Sequence, residues 1–297
     1  MNYGAAVDGA REVLFGTGVI RSVRELLPAP LVEAAGPVTH LGDGALLGAL
    51  AVVLYWLGGD RRREYAYALG VGLGAFALVS GLKALFVHPR PPENVWLAAE
   101  ANYGFPSAHA LGSTVVLGVL AYVGRVGSRR ARYLAAAGLV AVISLSRVVL
   151  GVHFPGDVLG GIAIGLAYLA LMVRYADRNP ERAFAVAFGL AVVMAIAAPN
   201  QYTTATLGGT AGALVGWHLV RDGATSPAAV GLAGAVVVAI PIGVVAAGLA
   251  SGFAPVAETV GFALVAAGVL LAPAVAARIE AVVGIEDRLG RSERSGQ

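Results

Sequence analysis

Residues 65–87 read YAYALGVGLGAFALVSGLKALFV. This run holds one charge, Lys83, and is long enough to cross the roughly 30 Å hydrocarbon core of a bilayer as a single helix. In lipid a helix satisfies its backbone hydrogen bonds within one segment, so the run reads as a membrane span. Similar stretches lie on both sides of it. Residues 40–57 are apolar apart from Asp43. Residues 107–123, 133–150 with Arg147, and 157–173 follow downstream. Residues 183–220 contain no Asp, Glu, Lys or Arg and divide into two spans at Pro199-Asn200-Gln201. The second of these, 202–220, is rich in Thr and Gly. Residues 225–250 and 259–277 bring the expected total to about nine. The fold class expected is all-α, a polytopic membrane helix bundle.

Composition agrees. Of 297 residues, 58% are hydrophobic and 13% charged, with a mean hydropathy of +0.76. Soluble domains sit near 45–50% apolar and about 25% charged, so a disordered chain and an ordinary water-soluble enzyme are both poor fits. The absence of cysteine excludes disulfides, thiolate catalysis, Cys-ligated zinc and thioester lipid anchors. A net charge of +3 is too small to point to nucleic acid.

The N-terminal stretch differs from the spans. Asp8, Arg11 and Glu12 interrupt what a cleaved signal would need as an apolar core. Over residues 8–27 Phe15, Val19, Val23, Leu26 and Leu27 share one helical face, with Arg21 and Glu25 opposite. That pattern suits a helix lying in the membrane interface. Arginines set the orientation. Arg61, Arg62, Arg63, Arg125, Arg129, Arg130, Arg132, Arg174, Arg178, Arg182 and Arg221 fall on one side if the spans alternate, and the opposite inter-span loops hold only Arg90. The arginine-rich side is therefore expected to be cytoplasmic, with the C-terminus there as well. Arg11, Arg21 and Arg24 stand against the count without reversing it.

Unusual polar residues gather at the outer ends of spans two to five. Lys83 lies one turn inside the end of span two, followed by His88-Pro89-Arg90-Pro91. Pro106-Ser107-Ala108-His109 opens span three, Ser146-Arg147 lies near the end of span four, and His153 precedes Asp157 at the start of span five. Cations in membrane helices are costly and mark function by default. No acid in spans two or four pairs with Lys83 or Arg147, so three cations (Lys83, Arg90, Arg147) call for an anion, and their number suits a phosphate. Ser107 is placed to cap a helix, leaving the amides of Ala108 and His109 to face an oxyanion. His153 can attack phosphorus as a neutral imidazole, oriented by Asp157 one turn on. His109 can protonate the leaving group. Nothing in this set has metal-ligand spacing, and no cofactor is expected. Taken singly, each residue has a plainer reading: Ser107 as a helix cap, Arg147 snorkelling to head groups, Asp157 at a helix N-terminus. Their coincidence on one face favours the chemistry. His40, His88 and His218 receive no role, and Trp56, Trp96 and Tyr103 read as interfacial anchors.

Lys83 to Arg90-Pro91, Pro106-Ser107-Ala108-His109, and Ser146-Arg147 to His153 and Asp157 resemble the three signature motifs of the type 2 phosphatidic acid phosphatase superfamily, which also includes vanadium haloperoxidases. The resemblance covers roughly residues 40–175 and departs at Ala108, where the family usually carries glycine. It implies that His153 becomes a phosphohistidine oriented by Asp157, that His109 protonates the leaving group, and that Lys83, Arg90, Ser107, Arg147 and the Ala108 amide hold phosphate. It also implies a metal-independent hydrolase of lipid phosphates or diphosphates. The organisation expected is an N-terminal interfacial segment (1–37), a phosphatase-like membrane core (38–176), further membrane helices (177–277) without an assigned activity, and a charged cytoplasmic tail (278–297). The expected partners are a lipid phosphate or diphosphate and membrane lipids. A lipid phosphotransferase using the same site, a membrane transporter and a haloperoxidase are the alternatives. The absence of a visible repeat and the position of the polar cluster near one face count against transport.

Overall fold

A computed structural model describes residues 3–221 and 259–278. Their regular secondary structure is all helical, with no strand among them. The helices are α1 (Tyr3–Phe15), α2 (Gly18–Leu26), α3 (Ala29–Thr39), α4 (Gly44–Leu57), α5 (Arg62–Phe86), α6 (Ala108–Val123), α7 (Arg129–Val149), α8 (Pro155–Tyr175), α9 (Pro180–Ala197), α10 (Gln201–Val220) and α11 (Thr259–Arg278). Eight of the nine expected spans have a helix. The stretch 225–250 and the tail lie outside the described residues.

Length and apolarity qualify five helical stretches to cross a membrane: Gly59–Phe86, α7, α8, α9 and α11. The α3–α4 pair, bent by 48° at Asp43, makes a sixth if it counts as one broken span. Of the eight expected spans that fall among the described residues, five or six therefore meet these criteria. α6 is only 16 residues long. α10 is long enough but falls short in apolarity, because Thr203, Thr204, Thr206 and Thr210 share it with four glycines.

Local chemistry explains the boundaries. α5 stops at Val87, whose φ of 48° lies in the left-handed region and whose N–H donates to Lys83 O at 3.1 Å. Pro89, Pro91 and Pro92 then prevent any continuation. Ser128, Asn179 and Asn200 cap α7, α9 and α10, each accepting a bond from the first turn. α5 runs through the middle of the bundle and packs along α9, with α6 on another side. Gly70 permits the α5–α9 approach, since a Cβ there would lie 2.9 Å from Ala183 Cβ. Tyr67, Val71, Ala75, Leu111, Val115, Val119, Tyr168 and Met172 fill the core between α5, α6 and α8.

At the arginine-rich end, the last carbonyls of α6 are all claimed. Arg132 donates to Ala121 O at 3.0 Å, Arg178 to Tyr122 O at 3.2 Å and Arg61 to Val123 O at 2.5 Å. Cations there offset the negative end of the helix dipole. Trp56, expected as an interfacial anchor, donates to Val269 O of α11 at 2.8 Å.

The N-terminal helices lie over the opposite end. The single helix expected over residues 8–27 is two, broken at Gly16-Thr17. Ile20, which the helical wheel left out, is fully buried against Val95, Ala110, Val148 and Phe154, whereas Leu26 is 83% exposed. The break rotates α2 relative to α1, so one wheel does not serve both.

Candidate active site

The short turn between α7 and α8 carries the first histidine. Phe154 sits at the N-cap of α8, Pro155 begins the helix, and Asp157 at the third position turns back to accept the Phe154 N–H at 2.9 Å. The same oxygen, Oδ2, lies 3.4 Å from His153 Nδ1. Both side chains are buried, His153 at 1% and Asp157 at 0% exposure. On the far side of the ring, Arg90 Nη1 lies 3.1 Å from His153 Nε2. An arginine can only donate, so Nε2 is the unprotonated nitrogen and Nδ1 carries the hydrogen facing Asp157. Burial, with Arg90, Lys83, Arg147 and His109 adding to it, holds the His153 pKa well below its ordinary value. The ring is therefore neutral at working pH, with its lone pair turned toward the cations.

Those cations come from three places. Lys83, at the end of α5, donates to Tyr103 O and lies 3.5 Å from Gly104 O. Arg90, in the loop after α5, donates to Val152 O at 2.7 Å, Asn102 O at 2.9 Å and Ala101 O at 3.0 Å. Arg147, at the end of α7 and 2% exposed, donates to Thr39 Oγ1 at 2.8 Å and to Glu100 Oε1. Arg90 Nη2 reaches the other Glu100 oxygen at 3.3 Å. Glu100 thus bridges two of the three predicted phosphate-binding cations. Burial alone would raise its pKa, but the two guanidiniums, Arg147 foremost, hold it below the ordinary carboxylate range. The expectation that few acids stand near these cations is corrected by this residue. It arrives from the loop, not from the spans in which a partner was sought.

α6 begins beside His153. Its N-cap residue, Ser107, donates its N–H to Asp157 O at 3.0 Å, tying the second motif to the third. Gly161 of α8 allows the approach, because a Cβ there would lie 2.8 Å from Ser107 O. Ser107 Oγ makes no capping bond and, although buried, has no partner. The hydroxyl expected to cap α6 is therefore free to meet a ligand, as are the amides of Ala108 and His109, which a first helical turn leaves without acceptors. Ala108 carries the negative φ of a helical residue, so alanine needs no strain where the family usually has glycine.

His109 Nε2 lies 2.8 Å from Asp43 Oδ1, and Asp43 Oδ2 lies 2.8 Å from Nδ1 of the exposed His40. Asp43 occupies the bend between α3 and α4. It leaves His109 Nδ1 as the ring nitrogen available to a leaving group.

All eight predicted residues therefore lie at one end of the bundle, linked through His153–Arg90–Glu100–Arg147 and Asp157–Ser107. Four participants went unassigned from sequence: Glu100, Asp43, Thr39 and His88, whose Nδ1 is 3.5 Å from Asp157 Oδ1. Asp43 did carry a signal, being an acid inside an apolar run one turn from a histidine. Glu100 carried none that sets it apart from any loop acid. Among the described residues, no group of three or more His, Asp or Glu side chains is arranged to hold a metal.

Comparison with known proteins gives the same picture. The family model of the PAP2 superfamily matches residues 63–181. Phosphatidylglycerophosphatase B of Bacillus subtilis (strain 168) is 29% identical over 159 residues, 51% of this chain and 78% of the relative. Decaprenylphosphoryl-5-phosphoribose phosphatase of Mycobacterium tuberculosis (strain ATCC 25618 / H37Rv) is 33% identical over 158 residues, 49% of this chain and 80% of the relative. The crystal structure of a transmembrane PAP2-type phosphatidylglycerolphosphate phosphatase from Bacillus subtilis superposes with a TM-score of 0.51 at 27% identity, covering 58% of this chain and 87% of that one. With the motif residues meeting at one end of a helical membrane bundle, this chain belongs to the PAP2 superfamily.

Proposed function

We propose that this membrane phosphatase hydrolyses a lipid phosphate monoester or diphosphate through a phosphohistidine on His153, without a metal ion. One observation carries the reading: His153 presents an unprotonated Nε2 to a buried group of cations while its other nitrogen faces Asp157. In the first step Nε2 forms a bond to phosphorus and the ester or anhydride P–O bond breaks. His109 delivers a proton to the departing oxygen. Lys83, Arg90 and Arg147 neutralise the equatorial oxygens, with Ser107 Oγ and the Ala108 amide completing the cradle. Asp157 offsets the positive charge that grows on the ring. Water then attacks phosphorus as His109 takes its proton; the P–Nε2 bond breaks, its electron pair returns to the His153 ring, and orthophosphate leaves.

Several features support a lipid substrate. The relatives are named as phosphatases of lipid-linked phosphates. The helices that carry the motifs present apolar side chains outward, among them Phe76, Leu145 and Leu159. A lipid can therefore approach laterally with its head group at the helix ends. The arginine bias favours an extracytoplasmic face for that end and a cytoplasmic C-terminus.

The test is phosphate release from a panel of lipid phosphates and diphosphates in detergent with EDTA, alongside trapping of acid-labile phosphoenzyme. His153→Ala is expected to abolish both. Turnover at the wild-type rate in that variant would end the proposal.

A further inference from the structure

Every predicted phosphate-binding cation is already engaged by one loop. Residues 100–104 give Lys83 the carbonyls of Tyr103 and Gly104. They give Arg90 the carbonyls of Ala101 and Asn102, and they set the Glu100 carboxylate across Arg90 and Arg147. A carboxylate bridging two guanidiniums has the charge and bite of two phosphate oxygens. The Glu100 side chain retains 22% exposure, so it sits at the mouth of the cage, where exchange needs no rearrangement of the helices.

We propose that Glu100 is an internal anion occupying the phosphate position at rest, and that displacing it selects head groups by charge. The proposal rests on the phosphatase reading and specifies which lipids that site accepts. A membrane offers a large excess of phosphodiester head groups. Each carries one negative charge on two free oxygens, which is what Glu100 already supplies. Exchanging one for the other gains nothing and gives up a tethered partner. A phosphate monoester or terminal diphosphate carries up to two charges on three free oxygens. The extra oxygen can engage Lys83, Ser107 Oγ and the Ala108 amide, contacts that Glu100 does not make. Bulk lipid is thereby kept out of the cage while monoesters and diphosphates enter. Seating of Glu100 also reduces the apparent affinity for every anion by the fraction of time the cage is open, so orthophosphate leaves readily.

The test compares wild type with Glu100→Gln, which keeps the shape and removes the charge, and with Glu100→Asp, which keeps the charge on a shorter arm. Two ligands are titrated in neutral detergent: orthophosphate, and phosphatidylglycerol as a monoanionic phosphodiester. Inhibition of turnover is read, and vanadate binding is followed by 51V NMR as a readout independent of turnover. In Glu100→Gln the inhibition constant for orthophosphate should fall about tenfold, the change expected if Glu100 occupies the cage about nine-tenths of the time. Inhibition by phosphatidylglycerol, absent in wild type, should appear. Glu100→Asp should lie between. Unchanged or weaker anion binding in Glu100→Gln, or equal phosphatidylglycerol inhibition in wild type, would overturn the proposal. A wild type that releases no phosphate from any lipid would instead count against the phosphatase reading, and vanadate competition would still decide the role of Glu100.

Discussion

Replacing Asp157 with asparagine should cost much less than replacing it with alanine, because two donors share one oxygen. Asp157 Oδ2 accepts from Phe154 N at 2.9 Å and faces His153 Nδ1 at 3.4 Å. An asparagine amide has two orientations. One puts its oxygen at the Oδ2 position, keeping both donors satisfied and the His153 tautomer unchanged. The other sets an NH2 group against two N–H groups and leaves a buried backbone donor unpaired, a loss of about 1–3 kcal/mol. The first is therefore selected, and only the negative charge is missing. Unit charges about 4 Å apart at an effective dielectric near 20 interact by about 4 kcal/mol. With roughly half a charge developed on the ring in the transition state, the loss is about 2 kcal/mol, or about 30-fold in rate. Asp157→Ala removes the acceptor altogether and frees the ring. Where an Asp→Asn change in a Ser–His–Asp triad lets the tautomer invert, the loss is about ten-thousand-fold; the alanine variant should approach that, and the asparagine variant avoids it here because the Phe154 N–H fixes the amide's orientation. The assay is kcat for phosphate release from a short-chain lipid phosphate, with thermal unfolding as a folding control. Equal losses in the two variants would show that oxygen sharing does not fix the tautomer. An asparagine variant within twofold of wild type would show that the carboxylate charge is not felt at the ring.

Other outcomes follow from the same geometry. Asp43→Asn should slow turnover of a lipid monoester about tenfold while leaving p-nitrophenyl phosphate nearly untouched, because a good leaving group needs little help from His109; equal effects on both substrates would remove Asp43 from leaving-group chemistry. His153, held below its ordinary pKa, should remain neutral through the range where a free imidazole, with a pKa of about 6.5, takes its proton. Nitrogen-15 histidine NMR, assigned with His153→Ala, reads this, and titration at or above that value would contradict the buried neutral ring. Since the chain has no cysteine of its own, single cysteines introduced at Asn94 and Arg129 can report topology. An impermeant reagent should label only position 94 in intact cells, and labelling at 129 alone would invert the orientation.

Much of the architecture was legible because lipid is an unforgiving solvent. Long uncharged runs have one solution in it, which is why α5, α7, α8 and α9 lie close to their expected bounds. Where the pattern weakened, so did the reading. α10 carries too many threonines to stand out, and the bend at Gly16-Thr17 split a helix that one periodicity had joined. The site was legible through residues that are expensive where they sit, such as Lys83 and Arg147 in helices. Glu100 lies in a loop, where an acid costs nothing, and only three-dimensional pairing gives it meaning. Asp43 was visible as a blemish in span one. The rule that flags buried cations flags acids equally, but its partner His109 is 66 positions away and only the fold brings them together.

The shortness of α6 has a consequence for how a lipid meets the enzyme. Sixteen residues rise about 24 Å, some 6 Å less than a typical hydrocarbon core. Three arginines pin one end of this helix, so the deficit falls at the other, beside Ser107 and His109. In a bilayer of that thickness, the proposed reaction floor would lie beneath the level of the surrounding ester groups. A lipid phosphate bound there would not need to be hauled into water to be cleaved; a small dimple of water would reach down to it, and its hydrocarbon tail would stay among its neighbours throughout.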